Sequence, residues 1–169
     1  MKIPEGQKHV YDYYIDEHGQ WFCEGNPVLD RQLLRMLSRS LFEEEGKYFL
    51  RCEGEIHPVR VADAPLWVRY VHIQLSDDGG IETLEIELTD GRKEELRVDT
   101  LRIKDNRALY CLATKKNLKA RFSKTAYYEL ARYIEWDEDT RRYFVQISGK
   151  KYYIAEGDLC HDQKHRSFH

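Results

Sequence analysis

The chain states one structural plan twice. Leu37 to Val59 reads LSRSLFEEEGKYFLRCEGEIHPV, and Leu130 to Ile154 reads LARYIEWDEDTRRYFVQISGKKYYI. Each passes from a helix end through an acidic break into a Tyr-Phe strand, a Gly turn and a return strand. The correspondence extends upstream. Ile15 and Cys23 match Ile103 and Cys111 at an offset of 88. Leu37, Arg39 and Leu41 match Leu130, Arg132 and Ile134 at 93. Tyr48, Phe49, Cys52 and Gly54 match Tyr143, Phe144, Ile147 and Gly149 at 95. The offset changes only where loops are expected, and loops tolerate insertion. The pattern predicts a ββαββ unit used twice, over residues 11–61 and 99–156, with a strand-rich insert between. The expected class is α+β, with duplicated ββαββ units, antiparallel sheets and one main helix per unit. The expected domains are 1–62 and 63–169. Two similar units create a crevice, and ligand sites favour such places.

Local signals fill in this plan. Asp16 to Gly19, Glu53-Gly54, Asp90-Gly91, Asp105-Asn106 and Ser148-Gly149 read as hairpin turns. Asp30 or Asn26 opens a first helix, whose apolar face is Leu29, Leu33, Met36, Leu37 and Leu41. Pro58 places its strand at a sheet edge or a bulge. In the insert, Trp67, Val71, Ile73 and Leu75 share one face, and Leu84, Ile86 and Leu88 face inward. TKKNLKARF reads as a polar basic loop, after which Ser123 caps a second helix with Tyr127, Leu130, Ala131 and Ile134 on one face. Trp21 reads as a core aromatic.

Composition narrows the function classes. The chain has 169 residues and a formal net charge of −3, so nothing global points to nucleic acid or an anionic membrane. No apolar run approaches the roughly twenty residues of a membrane span. The N-terminal MKIPEGQKHV lacks the apolar stretch of a signal peptide. Four separated cysteines, Cys23, Cys52, Cys111 and Cys160, form no CxxC motif and read as reduced thiols of a cytoplasmic protein. No GxGxxG or GxSxG stretch occurs. Ser148-Gly149-Lys150-Lys151 has part of a phosphate loop, but Phe144 stands where that loop needs Gly. His161, His165 and His169, beside Cys160, have a spacing that could hold zinc on a helix, yet a loose polar tail is the better reading. No metal, cofactor or catalytic residue is assigned.

The informative charge is local. Arg102, Lys104, Arg107, Lys115, Lys116, Lys119, Arg121 and Lys124 face one acid, Asp105, within 102–124. A basic loop entering a helix N-terminus suits an anion, with self-pairing against the acidic face as the bland alternative. Arg107, Lys119 and Arg121 are the candidate contacts here. Arg60 and Asp63, where the first unit ends, are candidates for the crevice, either on ligand or as a pair with each other. Three functions compete: a non-enzymatic regulatory module binding a small anionic ligand between its halves, a hydrolase of a phosphorylated small molecule, and a single-stranded nucleic-acid binder using Tyr110 and Phe122. The first is favoured, because no nucleophile–base pair is visible and the chain is acidic.

Several motifs carry a resemblance. Trp21, Gly25, Pro27 and Arg31 form W-x3-G-x-P-x3-R, and Ala62 to Leu66 (ADAPL) closes the first unit. Later, Asn117 to Arg121 (NLKAR) leads to Tyr127 to Leu130 (YYEL). Together, over about residues 11–155, these resemble the bacterial family called domain of unknown function 1285. The resemblance implies a duplicated α+β core and a C-terminal half superficially like a pleckstrin-homology fold. It also implies a site at the domain interface for a nucleotide-like ligand, a role in signal transduction with a protein partner, and no established enzymatic activity.

Overall fold

A computed structural model describes residues 6–7 and 9–157. Cys160, His161, His165 and His169 lie outside these residues. The chain divides into two compact units, the first running to Leu66 and the second starting at Trp67. That is four residues beyond the expected boundary. Ala64 and Leu66 in the ADAPL stretch are buried, so the first unit extends through them.

The first unit holds β1 (Tyr13–Ile15), β2 (Trp21–Cys23), β3 (Asn26–Pro27), α1 (Arg31–Arg39), β4 (Leu41–Glu44), β5 (Lys47–Cys52) and β6 (Glu55–Val61). They form one sheet in the order β3-β2-β1-β6-β5-β4. Neighbours are antiparallel except β1 and β6, which pair in parallel. The expectation of antiparallel sheets is therefore corrected to mixed ones. A parallel pair needs a long crossover, and the segment containing α1, β4 and β5 supplies it. The β1–β2 turn is where the sequence puts it: Asp16 accepts from the backbone of Gly19, and its carboxylate from that of His18 and Gln20. Glu53 and Gly54, at φ 51° and 78°, make the two-residue β5–β6 turn, whose twist demands positive φ at both positions. Pro58 does not mark an edge, since β6 lies between β1 and β5. Pairing with β1 begins only at Val59, so at Pro58 the strand still has one open side.

The first helix is shorter than the sequence suggests. Asp30 caps it, its carboxylate accepting from Leu33 N at 3.0 Å. It ends at Arg39, and Leu41 begins β4 instead of continuing the apolar face. Only Leu37 and Leu41 of the five expected face residues are buried, while Leu29, Leu33 and Met36 are exposed. Residues 29, 33 and 36 form a stripe beside the buried one, which runs through Leu34, Leu37 and Ser38. Trp21 is buried with its ring edge-on to Tyr13.

The second unit contributes β7 (Leu66–Leu75), β8 (Ile81–Leu88), β9 (Lys93–Glu95), a 3-10 turn (Val98–Thr100), β10 (Arg102–Lys104), β11 (Ala108–Ala113), β12 (Leu118–Phe122), α2 (Lys124–Ala131), β13 (Ile134–Asp137), β14 (Arg142–Ile147), β15 (Lys150–Tyr153) and β16 (Ala155–Glu156). The sheet runs β13-β14-β8-β7-β12-β11-β10-β16, with β15 on β14 and β9 on β8. Since β15 and β16 are separated only by Ile154, the strand path bends back on itself, which leaves few open edges. In β7 a register shift between Val68 and Tyr70 changes the inward phase. Val68 and Val71 are buried while Leu75 is exposed, so the expected face Trp67-Val71-Ile73-Leu75 is broken by a bulge. In β8, Leu84, Ile86 and Leu88 are buried as the alternation requires. The expected loop TKKNLKARF is half strand: β12 alternates, with Leu118, Ala120 and Phe122 inward. Ser123 caps α2, its hydroxyl accepting from Ala126 N and donating to Arg69 O.

The two units share their pairing registers. Tyr14 faces Phe22, and Arg102 faces Tyr110, with each partner 88 residues further on. Leu41 faces Leu50 as Ile134 faces Val145, at shifts of 93 and 95. The parallel closing pair Tyr14 with Arg60 has its counterpart in Arg102 with Ala155. The helix caps Asp30 and Ser123 are also 93 apart.

Candidate functional site

The basic segment splits between two places in the second unit. On β10, β11 and β12 the registers put Arg102, Tyr110 and Arg121 in one cross-strand row, with Lys119 beside it on β12. Lys119 Nζ lies 4.6 Å from the Tyr110 ring centroid. The Arg121 guanidinium lies 5.8 Å from Tyr110 and 5.2 Å from Trp67. The fold therefore brings Lys119 and Arg121 together, on a strand instead of a loop. Tyr110 is buried, so this row is part of a packed face, where cation–π contact holds the charges. Arg107 is elsewhere, exposed in the β10–β11 turn.

In the first unit Arg60 forms a fork on Asp12, Nε to Oδ1 at 3.1 Å and Nη2 to Oδ2 at 3.0 Å. It also lies over the Tyr14 ring at 4.8 Å. The Arg60 bond holds the Asp12 carboxyl below the usual carboxylate range, although both groups are exposed and the pair is screened. The ion pair of Arg60 is with Asp12, and Asp63 is half-buried. Burial, then the charges of Glu43 and Asp63, push the Tyr48 hydroxyl up.

The second place is a cleft of about 610 Å³ between two segments of the second unit. Arg92, Lys93 and Arg97 come from around β9, and Thr114, Lys115 and Lys116 from the β11–β12 turn. Glu94 and Glu95 complete the wall, so five cations meet two carboxylates. The turn is pinned from behind. Arg97 donates to Asn117 Oδ1 and, at 2.9 Å, to Thr114 O. The Glu94 carboxylate accepts from Thr114 N at 3.0 Å. Thr114 and Asn117 both take positive φ, and Asn117 is buried. Arg92 is fixed as well: its Nε and Nη2 donate to Asp90 Oδ2 at 2.9 and 2.6 Å, and Asp90 is 3% exposed. Burial, then the neighbouring Arg92 charge, lower the Lys116 ammonium pKa.

Of these residues the sequence pointed to Lys115 and Lys116 and missed Arg92, Lys93 and Arg97. Arg92 and Lys93 do follow a strong Asp-Gly turn, as Lys115 and Lys116 sit in one. Only the long-range bonds from Glu94 and Arg97 to the second turn set the two pairs together.

A further concavity of about 520 Å³ includes Asp78, Glu82, Arg132, Glu135 and Ser148. Asp78 is engaged by Ser76 Oγ and by Gly80 N, and both bonds hold its carboxyl low. No group of three or more His, Cys, Asp or Glu among the described residues is placed to hold a metal ion. His57 is buried, and its Nδ1 accepts from Tyr11 N at 3.1 Å. No helix among these residues is long and apolar enough to cross a membrane.

The α+β architecture, with mixed sheets and, among the described residues, one α-helix in each unit, defines the class of protein. Within that class the fold is that of domain of unknown function 1285 proteins, as the sequence motifs suggest. A family member from Silicibacter pomeroyi DSS-3 superposes with a TM-score of 0.71 at 22% identity, over 86% of this chain and 80% of that one. Another from Shewanella baltica OS155 gives 0.57 at 19% identity, over 71% and 90%. No family model matches the sequence, and no curated protein does.

Proposed function

We propose that this chain is a non-enzymatic regulatory module that binds a small anionic ligand through its second unit. One observation carries the reading: two hairpin-borne groups of cations converge on the cleft between β9 and the β11–β12 turn. Arg92 and Arg97 are held by fixed partners, so the cost of ordering them is met before a ligand arrives. The signalling role and a protein partner rest on the resemblance to the domain of unknown function 1285 family. The thiols of Cys23, Cys52 and Cys111 are free, which supports a reducing, cytoplasmic setting. The shared registers support an origin of both units from one duplicated ββαββ segment. The nearly closed strand path with α2 supports likening the second unit to a pleckstrin-homology fold.

The test is a thermal-shift panel of phosphate-bearing compounds, followed by calorimetry on wild type, Lys115→Glu/Lys116→Glu and Arg107→Glu. A ligand of the native state raises Tm. Binding by wild type and Arg107→Glu, with at least tenfold loss in the double variant, is the expected result. A well-folded wild type that binds nothing on the panel overturns the reading.

A further inference from the structure

We infer that the cleft selects a compact polyphosphorylated ligand by its phosphate groups and reads no base. This rests on the anion-binding reading above and goes further by naming the ligand class. The chain has 12 Tyr, 6 Phe and 3 Trp, yet none of those among the described residues lines the cleft. A nucleotide site ordinarily offers an aromatic face to stack on the base, or neutral donors and acceptors along its edge. Here the side chains are five cations, two carboxylates and one threonine.

The cations come from two separate segments, Arg92 and Arg97 beside β9 and Lys115 and Lys116 in the β11–β12 turn, and together they outnumber the charges of a single phosphate group. Lys115 and Lys116 are exposed on one wall, whereas Lys93 sits opposite Glu87 in the β8–β9 register, on the other face of the strand from Glu94. Arg92 presents the guanidinium edge that Asp90 does not use. A chain or ring of linked phosphates places anionic oxygens against both walls at once. Glu94 is committed to Thr114 N, and Glu95 lies opposite Glu85 on the other face of β9.

The test compares tripolyphosphate, ATP and orthophosphate by calorimetry on the full chain at matched ionic strength. Tripolyphosphate and ATP are expected to bind within about threefold of each other, and orthophosphate at least tenfold more weakly, since linked contacts add through effective concentration. Lys116→Glu is expected to weaken tripolyphosphate at least tenfold, and Lys116→Arg to retain it. ATP binding more than tenfold tighter than tripolyphosphate overturns the ligand class and leaves the anion site standing. Orthophosphate matching tripolyphosphate also overturns the class. If no probe binds, the anion-binding reading fails with it.

Discussion

At Lys116, which is exposed at its surface but partly desolvated, that desolvation and the Arg92 guanidinium both disfavour the ammonium, and the Lys116 pKa falls below its ordinary value. A bound polyanion reverses the second effect, so the pKa rises on binding. A group whose pKa is raised by an event takes up protons during it, at pH values between the free and bound pKa. Binding is therefore strongest below the free-protein pKa and is lost progressively as pH rises through the pKa of the complex. Calorimetry in alkaline buffers of different ionisation enthalpy should give different apparent enthalpies, with proton uptake as the sign. Lys116→Arg, which does not titrate in this range, should bind and show no such dependence. Proton release, or no change in either protein, would place the ligand away from Lys116. This group was visible in the sequence as one cation in a run of eight. Its neighbour Arg92 was not, because 24 residues separate them and only the Glu94 and Arg97 bonds bring the turns together.

Among the elements, turns were the most legible and helix faces the least. Glu53-Gly54, Asp105-Asn106 and Ser148-Gly149 all adopt the positive φ that Gly and Asn allow, because a turn is a local steric fact. By sequence pattern, β4 and β13 read as helix ends followed by acidic breaks. LFEE and IEWD are short and acid-rich, and their strand form depends on partners supplied by β5 and β14. The α1 face was over-read for a related reason. Apolar spacing marks a stripe, but which stripe meets the core depends on the sheet beneath it. The consequence is measurable. Leu37→Ala should cost about 2–5 kcal/mol in chemical denaturation, as a large-to-small change at a site 1% exposed. Leu33→Ser and Met36→Ser, at 39% and 47% exposure, should each stay within about 0.5 kcal/mol. Comparable losses at all three positions would show that the outer stripe is covered.

For the molecule as a whole, the candidate site lies in what the second unit has and the first lacks. On the duplication reading, β2 and β3 correspond to β11 and β12. The first hairpin turns on Glu24 and Gly25, whereas the second extends both strands and turns on residues 114–117. The other wall, Arg92 to Arg97, belongs to the strand-rich insert, which has no counterpart in the first unit. The repeat thus accounts for the scaffold, and the two departures from it supply the cations. That is also why the fold was more legible than the site: a repeat is visible as recurrence, and an insertion has nothing to be compared with. Replacing residues 114–117 by Asn-Gly tests the division. Four turn residues become two, so the Ala113–Leu118 pairing is kept and the strands stay in phase. Arg97 and Glu94 lose partners, at about 1–3 kcal/mol. The variant should melt cooperatively at a lower Tm, with its circular dichroism retained. It should also lose tripolyphosphate binding by more than tenfold. A folded variant that still binds would move the ligand off this turn.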